Sequence, residues 1–287
     1  KYKGFNTIII AGMGGSAIGG DIAASIMTEV SDIPVCVTRN YTLPKFVNTK
    51  TLVIAISYSG NTEETLSIFE EARKIGAKII SISSGGRLEK ISADSRIPFL
   101  KISGGLQPRA ALPVLLFSLL KLIDALGIIS GLKEQMDETI SILESKQKIY
   151  GIGSNYKNND AKKLSLKLQG RIPVILGSTG GIDAACMRWK TQLNENSKTT
   201  ALYNVFPELN HNELVNLSQL KNGGHMFSLI ILRDKYENER IKLRIEITKK
   251  LLSDSFGNIY EYFSEGESKL ARILSLVYLG DFVSTYL

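Results

Sequence analysis

The chain has 287 residues, 44% of them hydrophobic, enough for a large buried core built as one big domain or two of ordinary size. It carries 35 Lys and Arg against 28 Asp and Glu, a net charge of +7, with the cations scattered and no basic run interleaved with aromatics; this argues against nucleic acid and suits an anionic small molecule. Two cysteines, Cys36 and Cys186, with no CxxC pair, exclude a disulfide framework and a zinc knuckle.

In chain order, short apolar runs alternate with helical spacing, the mark of an α/β fold with parallel strands. Strands are predicted at Thr7–Ala11, Pro34–Thr38, Thr51–Ile56, Lys78–Ile82 and Pro98–Ile102, and helices at Gly15–Thr28, Asn61–Ile75 and Pro108–Leu126. The opening "FNTIIIAGMGG" reads as a buried strand and a tight turn. No stretch reaches the roughly 18 apolar residues that span a membrane, and no signal peptide is visible, so a soluble cytoplasmic protein without a membrane partner is expected.

The turn after the first strand holds Gly12-x-Gly14-x-x-Ala17, a loose match to a dinucleotide fingerprint. The acidic residue that such a fingerprint places at the end of the second strand is missing. Thr38 and Arg39 stand there, so only a 2′-phosphate on Arg39 would suit this reading. There is no GxxxxGK[ST] loop.

The third strand runs into "SYSGNTEET". With Asn61 as the expected N-cap and Glu64 at N3, residues 57–62 wrap a helix N-terminus at the carboxyl end of a parallel strand. Free N–H groups and the helix dipole favour an anion there. Ser57, Ser59 and Thr62, with Gly60 for close backbone approach, would complete a cradle for one phosphate; the plain alternative is hydroxyls that only cap the helix.

After a polar helical segment at Gly127–Lys148, "RIPVILGSTGGIDAACMRW" (Arg171–Trp189) repeats the pattern of Asn6–Ile26: strand, Gly-rich turn, small-residue helix. A strand at Met226–Leu232, a charged helix at Tyr236–Leu252, a strand at Asn258–Tyr262 and a closing helix from Ser268 follow. The expected fold is α/β, two similar open parallel sheets flanked by helices, with domains at 1–126 and 127–287. The strand of the second half ends in "LRDKYENER", without a Ser/Thr cluster, so one phosphate site per chain is expected.

"SYSGNTEET" after "GMGGSAIGGD", joined by "QPRAALP" (Gln107–Pro113), "NENSK" (Asn194–Lys198) and "ELNHNELV" (Glu208–Val215), resembles the archaeal-type bifunctional phosphoglucose/phosphomannose isomerases of the sugar isomerase (SIS) superfamily, over essentially the whole chain. The resemblance implies a double SIS fold, a homodimer, and interconversion of glucose 6-phosphate or mannose 6-phosphate with fructose 6-phosphate. It implies phosphosugar binding at Gly15, Ser16, Ser57, Ser59 and Thr62, and a catalytic base at Glu195. Arg109, at the start of an apolar helix, suits stabilisation of enediolate oxygens. His211 suits proton shuttling to the ring oxygen, because an imidazole gives and takes protons near neutral pH; in the family this histidine comes from the partner subunit. The only histidines are His211 and His225, and no His/Cys/carboxylate spacing suggests a metal, so no cofactor is expected. Relatives also carry a leading helical segment and a tail lysine with a nearby hydroxyl that assists ring opening; Lys269 lies too early in the closing helix to be that lysine.

Two other readings share the fold. One is a non-catalytic phosphosugar sensor, which would need a partner or DNA-binding module. The other is the isomerase half of an aminosugar synthase, which comes joined to a glutaminase domain.

Overall fold

Ile8, Ile9 and Ile10 form a strand because β-branched side chains in an unbroken run suit a sheet covered on both faces. A computed structural model of the chain describes residues 4–220, 224–256 and 258–287. It divides into two units, Lys1–Leu132 and Lys133–Leu287.

The first unit runs β1 (Thr7–Ala11), α1 (Gly14–Val30), β2 (Val35–Thr38), β3 (Thr51–Ile56), α2 (Glu63–Ile75), β4 (Lys78–Ser83), α3 (Gly86–Asp94), β5 (Phe99–Lys101) and α4 (Leu112–Ala125). Its strands form one parallel sheet in the order β2-β1-β3-β4-β5. Alternation along the strands divides the core: Ile9, Ala11, Val53 and Ala55 meet Leu66, Phe69 and Ala72 of α2, and the even-numbered Ile8, Ile10, Leu52 and Ile54 line the other face. There the small residues of α1 let it lie close to the sheet and to α4. A Cβ on Gly20 would come within 2.9 Å of Ile10, and one on Gly19 within 3.7 Å of Leu116.

The second unit contains α5 (Leu132–Tyr150), which begins at the division, then α6 (Asp160–Leu168), β6 (Ile172–Ser178), α7 (Ile182–Glu195), β7 (Leu202–Phe206), α8 (Leu209–Asn212), α9 (Leu214–Ser218), β8 (Phe227–Arg233), α10 (Glu239–Leu252), β9 (Ile259–Phe263) and α11 (Lys269–Tyr286). Its parallel sheet has the order β7-β6-β8-β9, so its strands match β2-β1-β3-β4 of the first sheet in both position and direction. The internal repetition expected from Arg171–Trp189 is therefore present in the fold.

One face of this sheet packs Val174, Leu176, Leu229 and Ile231 with Ile245 and Leu252 of α10. On the other, α7 and α11 cross where Trp189 donates from Nε1 to the Leu276 carbonyl at 2.8 Å. Burial pushes the Cys186 thiol pKa well up, away from thiolate chemistry. No helix among the described residues is long and apolar enough to cross a membrane.

Candidate active site

A parallel sheet ordered 2-1-3-4 reverses its winding direction between its first and third strands, leaving a crevice beyond their carboxyl ends. In the first unit that crevice lies between β1 and β3, and the two expected phosphate loops flank it. Gly12 turns beside the end of β3, where a Cβ would come within 3.1 Å of the Ile56 carbonyl. The next residues open α1, whose N-cap Met13 makes no side-chain capping bond and whose first turn has no acidic residue. Gly15 is half-buried and Ser16 is buried there. A helix start without a cap or an acid leaves N–H groups and a positive dipole end for an anion.

The hydroxyls of the β3–α2 loop are bonded among themselves. Ser57 Oγ lies 2.8 Å from Thr62 Oγ1, with either oxygen able to donate, and accepts the Gly60 N–H at 3.0 Å. Ser59 Oγ accepts the Asn61 N–H at 3.2 Å. A hydroxyl has one hydrogen to give, so this pattern leaves one O–H of the Ser57/Thr62 pair and that of Ser59 to donate outward.

The hydroxyls do not cap α2. Its N-cap is Thr62, whose side chain makes no capping bond. The expected cap at Asn61 is thus corrected: the cap position falls one residue later, at Thr62, and Asn61 Oδ1 instead accepts the Arg87 N–H at 3.0 Å, in the first turn of α3. Glu64, in the first turn of α2, faces Tyr41 and raises its phenol pKa.

Gly60 has a reason that spacing alone did not suggest. Its φ is +70°, and a Cβ there would overlap the Gly85 carbonyl, because the loop after β4 is laid directly over the loop after β3. The Leu88 N–H donates to the Gly60 carbonyl at 2.9 Å, and the Ser84 N–H to that of Tyr58 at 3.1 Å. Sequence reasoning passed over this second loop, although "SISSGGR" carries the same signal of strand, serines and glycines.

Arg109 is exposed in a single 3-10 turn, Pro108–Ala110, ahead of α4. The turn meets the start of α1: a Cβ on Gly15 would lie 3.7 Å from the Pro108 carbonyl. The first unit therefore brings the turn bearing Arg109 against Gly15, beside the crevice. Arg39, the one candidate for a 2′-phosphate, is ion-paired to Asp21 of α1.

Glu195 and His211 belong to the second unit. Glu195 is exposed in the last turn of α7, and its backbone carbonyl accepts from Lys198 Nζ at 2.7 Å. The end of α7 is held to α11: Asn196 Nδ2 donates to Ser284 Oγ at 2.9 Å and Ser197 Oγ to the Ser284 carbonyl at 2.7 Å. One and two turns earlier, Gln192 Nε2 and Arg188 Nε both donate to Asp281 Oδ1, at 2.7 and 3.1 Å. His211 is exposed on the short helix α8.

At the corresponding places of the second sheet, beyond β6 and β8, stand the protein's own carboxylates. Asp183 Oδ1 accepts the N–H groups of Gly181 and Ala184, at 2.8 and 3.0 Å, at the start of α7. After β8, Asp234 Oδ1 accepts from Arg272 Nε at 2.7 Å, and the buried Glu237 pairs with Arg233 at 2.8 Å. Asp183 thus takes up N–H groups at the start of α7, whereas the first turn of α1 holds no acid. No group of three or more His, Cys, Asp and Glu suited to a metal occurs among the described residues.

Residues 2–92 match the SIS domain family, and residues 157–287 match the bacterial phospho-glucose isomerase C-terminal SIS domain. The bifunctional phosphoglucose/phosphomannose isomerase of Caldicellulosiruptor bescii is 42% identical over 287 residues, all of this chain and 85% of the relative. The enzyme of the same name from Thermoplasma acidophilum is 40% identical over 283 residues, covering 99% of this chain and 83% of its own length. Among solved structures, the C-terminal domain of glucosamine-fructose-6-phosphate aminotransferase from Francisella tularensis shares the fold, with a TM-score of 0.75 at 14% identity over 99% of this chain and 84% of that one. Two repeated SIS sheets and near-complete overlap with these relatives make the chain a member of the bifunctional phosphoglucose/phosphomannose isomerase family.

Proposed function

We propose that the chain interconverts glucose 6-phosphate, and its C2 epimer mannose 6-phosphate, with fructose 6-phosphate by proton transfer through a cis-enediolate. The observation that carries this reading is the pair of loops beyond the carboxyl ends of β1 and β3. There the uncapped, acid-free start of α1 faces a loop with hydroxyl hydrogens left to donate. Gly15, Ser16, Ser57, Ser59 and Thr62 hold the phosphate. The loop residues 57–62 contain no lysine, which suits a phosphate that is anchored and not transferred, since no leaving-group charge develops on it.

Glu195 takes the proton from one of C1 and C2, exchanges it in part with solvent while it is held on the carboxylate, and delivers a proton to the other carbon. Arg109 stabilises the charge on the enediolate oxygens, an electrostatic contribution worth about 3 kcal/mol for a well-aimed donor. His211, supplied by the partner of a homodimer, moves the ring-oxygen proton during ring opening. Its exposure on α8 is compatible with reaching another subunit. The reaction so written uses no cofactor.

A coupled assay starting from fructose 6-phosphate in the presence of EDTA tests the proposal. Glucose 6-phosphate and mannose 6-phosphate should both form at a rate that the chelator does not change. Binding of sugar phosphate without turnover would favour the sensor reading, and activity lost to chelation would overturn the mechanism.

A further inference from the structure

Tyr58 is the one large side chain in the hydroxyl loop, and the chemistry above gives it no part. It is 9% exposed. Its backbone carbonyl accepts from Ser84 twice, from the N–H at 3.1 Å and from Oγ at 2.6 Å, so its main chain is pinned to the neighbouring loop. Its phenol oxygen reaches the other way and accepts the Leu106 N–H at 2.8 Å.

Leu106 lies just ahead of Arg109, in Ser103-Gly104-Gly105-Leu106-Gln107. Gly105 has φ +90°, and a segment with paired glycines has little stiffness of its own. Its start is held where the Ile102 N–H donates to the Ser83 carbonyl at 3.0 Å, and its end closes into the Arg109 turn, where the Ala110 N–H donates to the Gln107 carbonyl at 2.8 Å. Between those points the phenol of Tyr58 ties the segment directly to the hydroxyl loop.

We propose that Tyr58 is a positioning residue, a strut that sets the place of the Arg109 turn relative to the phosphate loop. This rests on the reaction proposed above and on the role of Arg109 in it. A sugar phosphate held at one end is well placed for chemistry only if the groups acting at its other end stand at a fixed distance. A misplacement of about 1 Å costs on the order of 100-fold in rate. Tyr58 supplies that distance through one buried ring and one hydrogen bond, and it does not itself touch the reacting carbons.

The test is Tyr58→Phe in the full chain, which keeps the ring and deletes the acceptor. With fructose 6-phosphate, kcat should fall about 10- to 100-fold. KM and the affinity for inorganic phosphate should stay within about twofold, since the phosphate loop keeps its backbone bonds to Ser84. In an Arg109→Ala background the same change should cost nothing further, because no guanidinium is left to place.

A Tyr58→Phe protein with unchanged kcat overturns the strut. So does one that loses phosphate affinity in step with kcat, or one that costs as much without Arg109 as with it. If Arg109→Ala itself leaves kcat intact, the role of Arg109 falls and the strut falls with it. An impaired Arg109→Ala protein combined with a fully active Tyr58→Phe protein removes the strut alone.

Discussion

At Gly60 a positive φ and the overlying Gly85 carbonyl leave no room for any side chain, so the residue is fixed by another stretch of backbone whether or not an anion approaches. The same economy runs through its neighbours: Ser57 and Thr62 bond each other, and Asn61 is spent on the Arg87 N–H. Glu195 differs in kind. It is exposed at the end of a helix, and the two residues that follow it, Asn196 and Ser197, are tied to Ser284, so its backbone is held in place. Glu195→Gln keeps the shape and removes the proposed base, so kcat should drop by about 100- to 10,000-fold with KM changed only slightly. Steady-state kinetics with fructose 6-phosphate measures this, and an unchanged kcat would take Glu195 out of the site.

At the scale of elements, α11 is placed by contacts at both ends of its length. Ser284 and Asp281 hold α7, while at the N-terminus Glu138 of α5 accepts the N–H groups of Glu267 and Ser268 at 2.6 and 3.0 Å. Burial on its own would raise the Glu138 pKa, but the backbone bonds from Glu267 and Ser268 and the Ser268 hydroxyl outweigh it and hold the carboxyl below its ordinary value. A lowered folded-state pKa gives stability that is complete above the unfolded value of about 4.3 and is lost as pH falls through the folded one. Glu138→Gln should therefore be about 1 kcal/mol less stable than wild type at neutral pH. The gap should close on acidification below about pH 4. Denaturant midpoints across pH read this directly, and a gap that widens in acid would refute it. The elements also show what a sequence reveals and what it hides. β3 and its loop were legible because an unbroken apolar run ends at small hydroxyl residues. β7 was not predicted: it is an edge strand with Leu202 and Tyr203 49% and 40% exposed, so no clear alternation marks it. α3 starts inside "SSGGR", which reads as a plain turn, and Asn61 imitates a cap because its real partner lies 26 residues away. The Asp281 contacts to Arg188 and Gln192 join residues some 90 positions apart, beyond the reach of any local pattern.

For the whole molecule, one strand order is used twice, with carboxylates standing beyond β6 and β8 of the second unit where the first turn of α1 in the first unit has none. In the proposed division of labour the first unit anchors the phosphate and carries Arg109, and the second provides Glu195 and, to a partner subunit, His211. Mixing inactive Glu195→Gln and His211→Ala chains tests the exchange. If His211 acts across the interface, a mixed dimer contains one intact site, and random reassortment should restore about a quarter of wild-type activity. No recovery on mixing would put His211 to work in its own chain or nowhere. The central claim is that a carboxylate moves a proton between C1 and C2 of an anchored sugar phosphate. It is tested most directly by turning over fructose 6-phosphate in D2O and following the aldose products by NMR. The account predicts deuterium at C2 of both glucose 6-phosphate and mannose 6-phosphate. Formation of these products with no deuterium at C2 would contradict it.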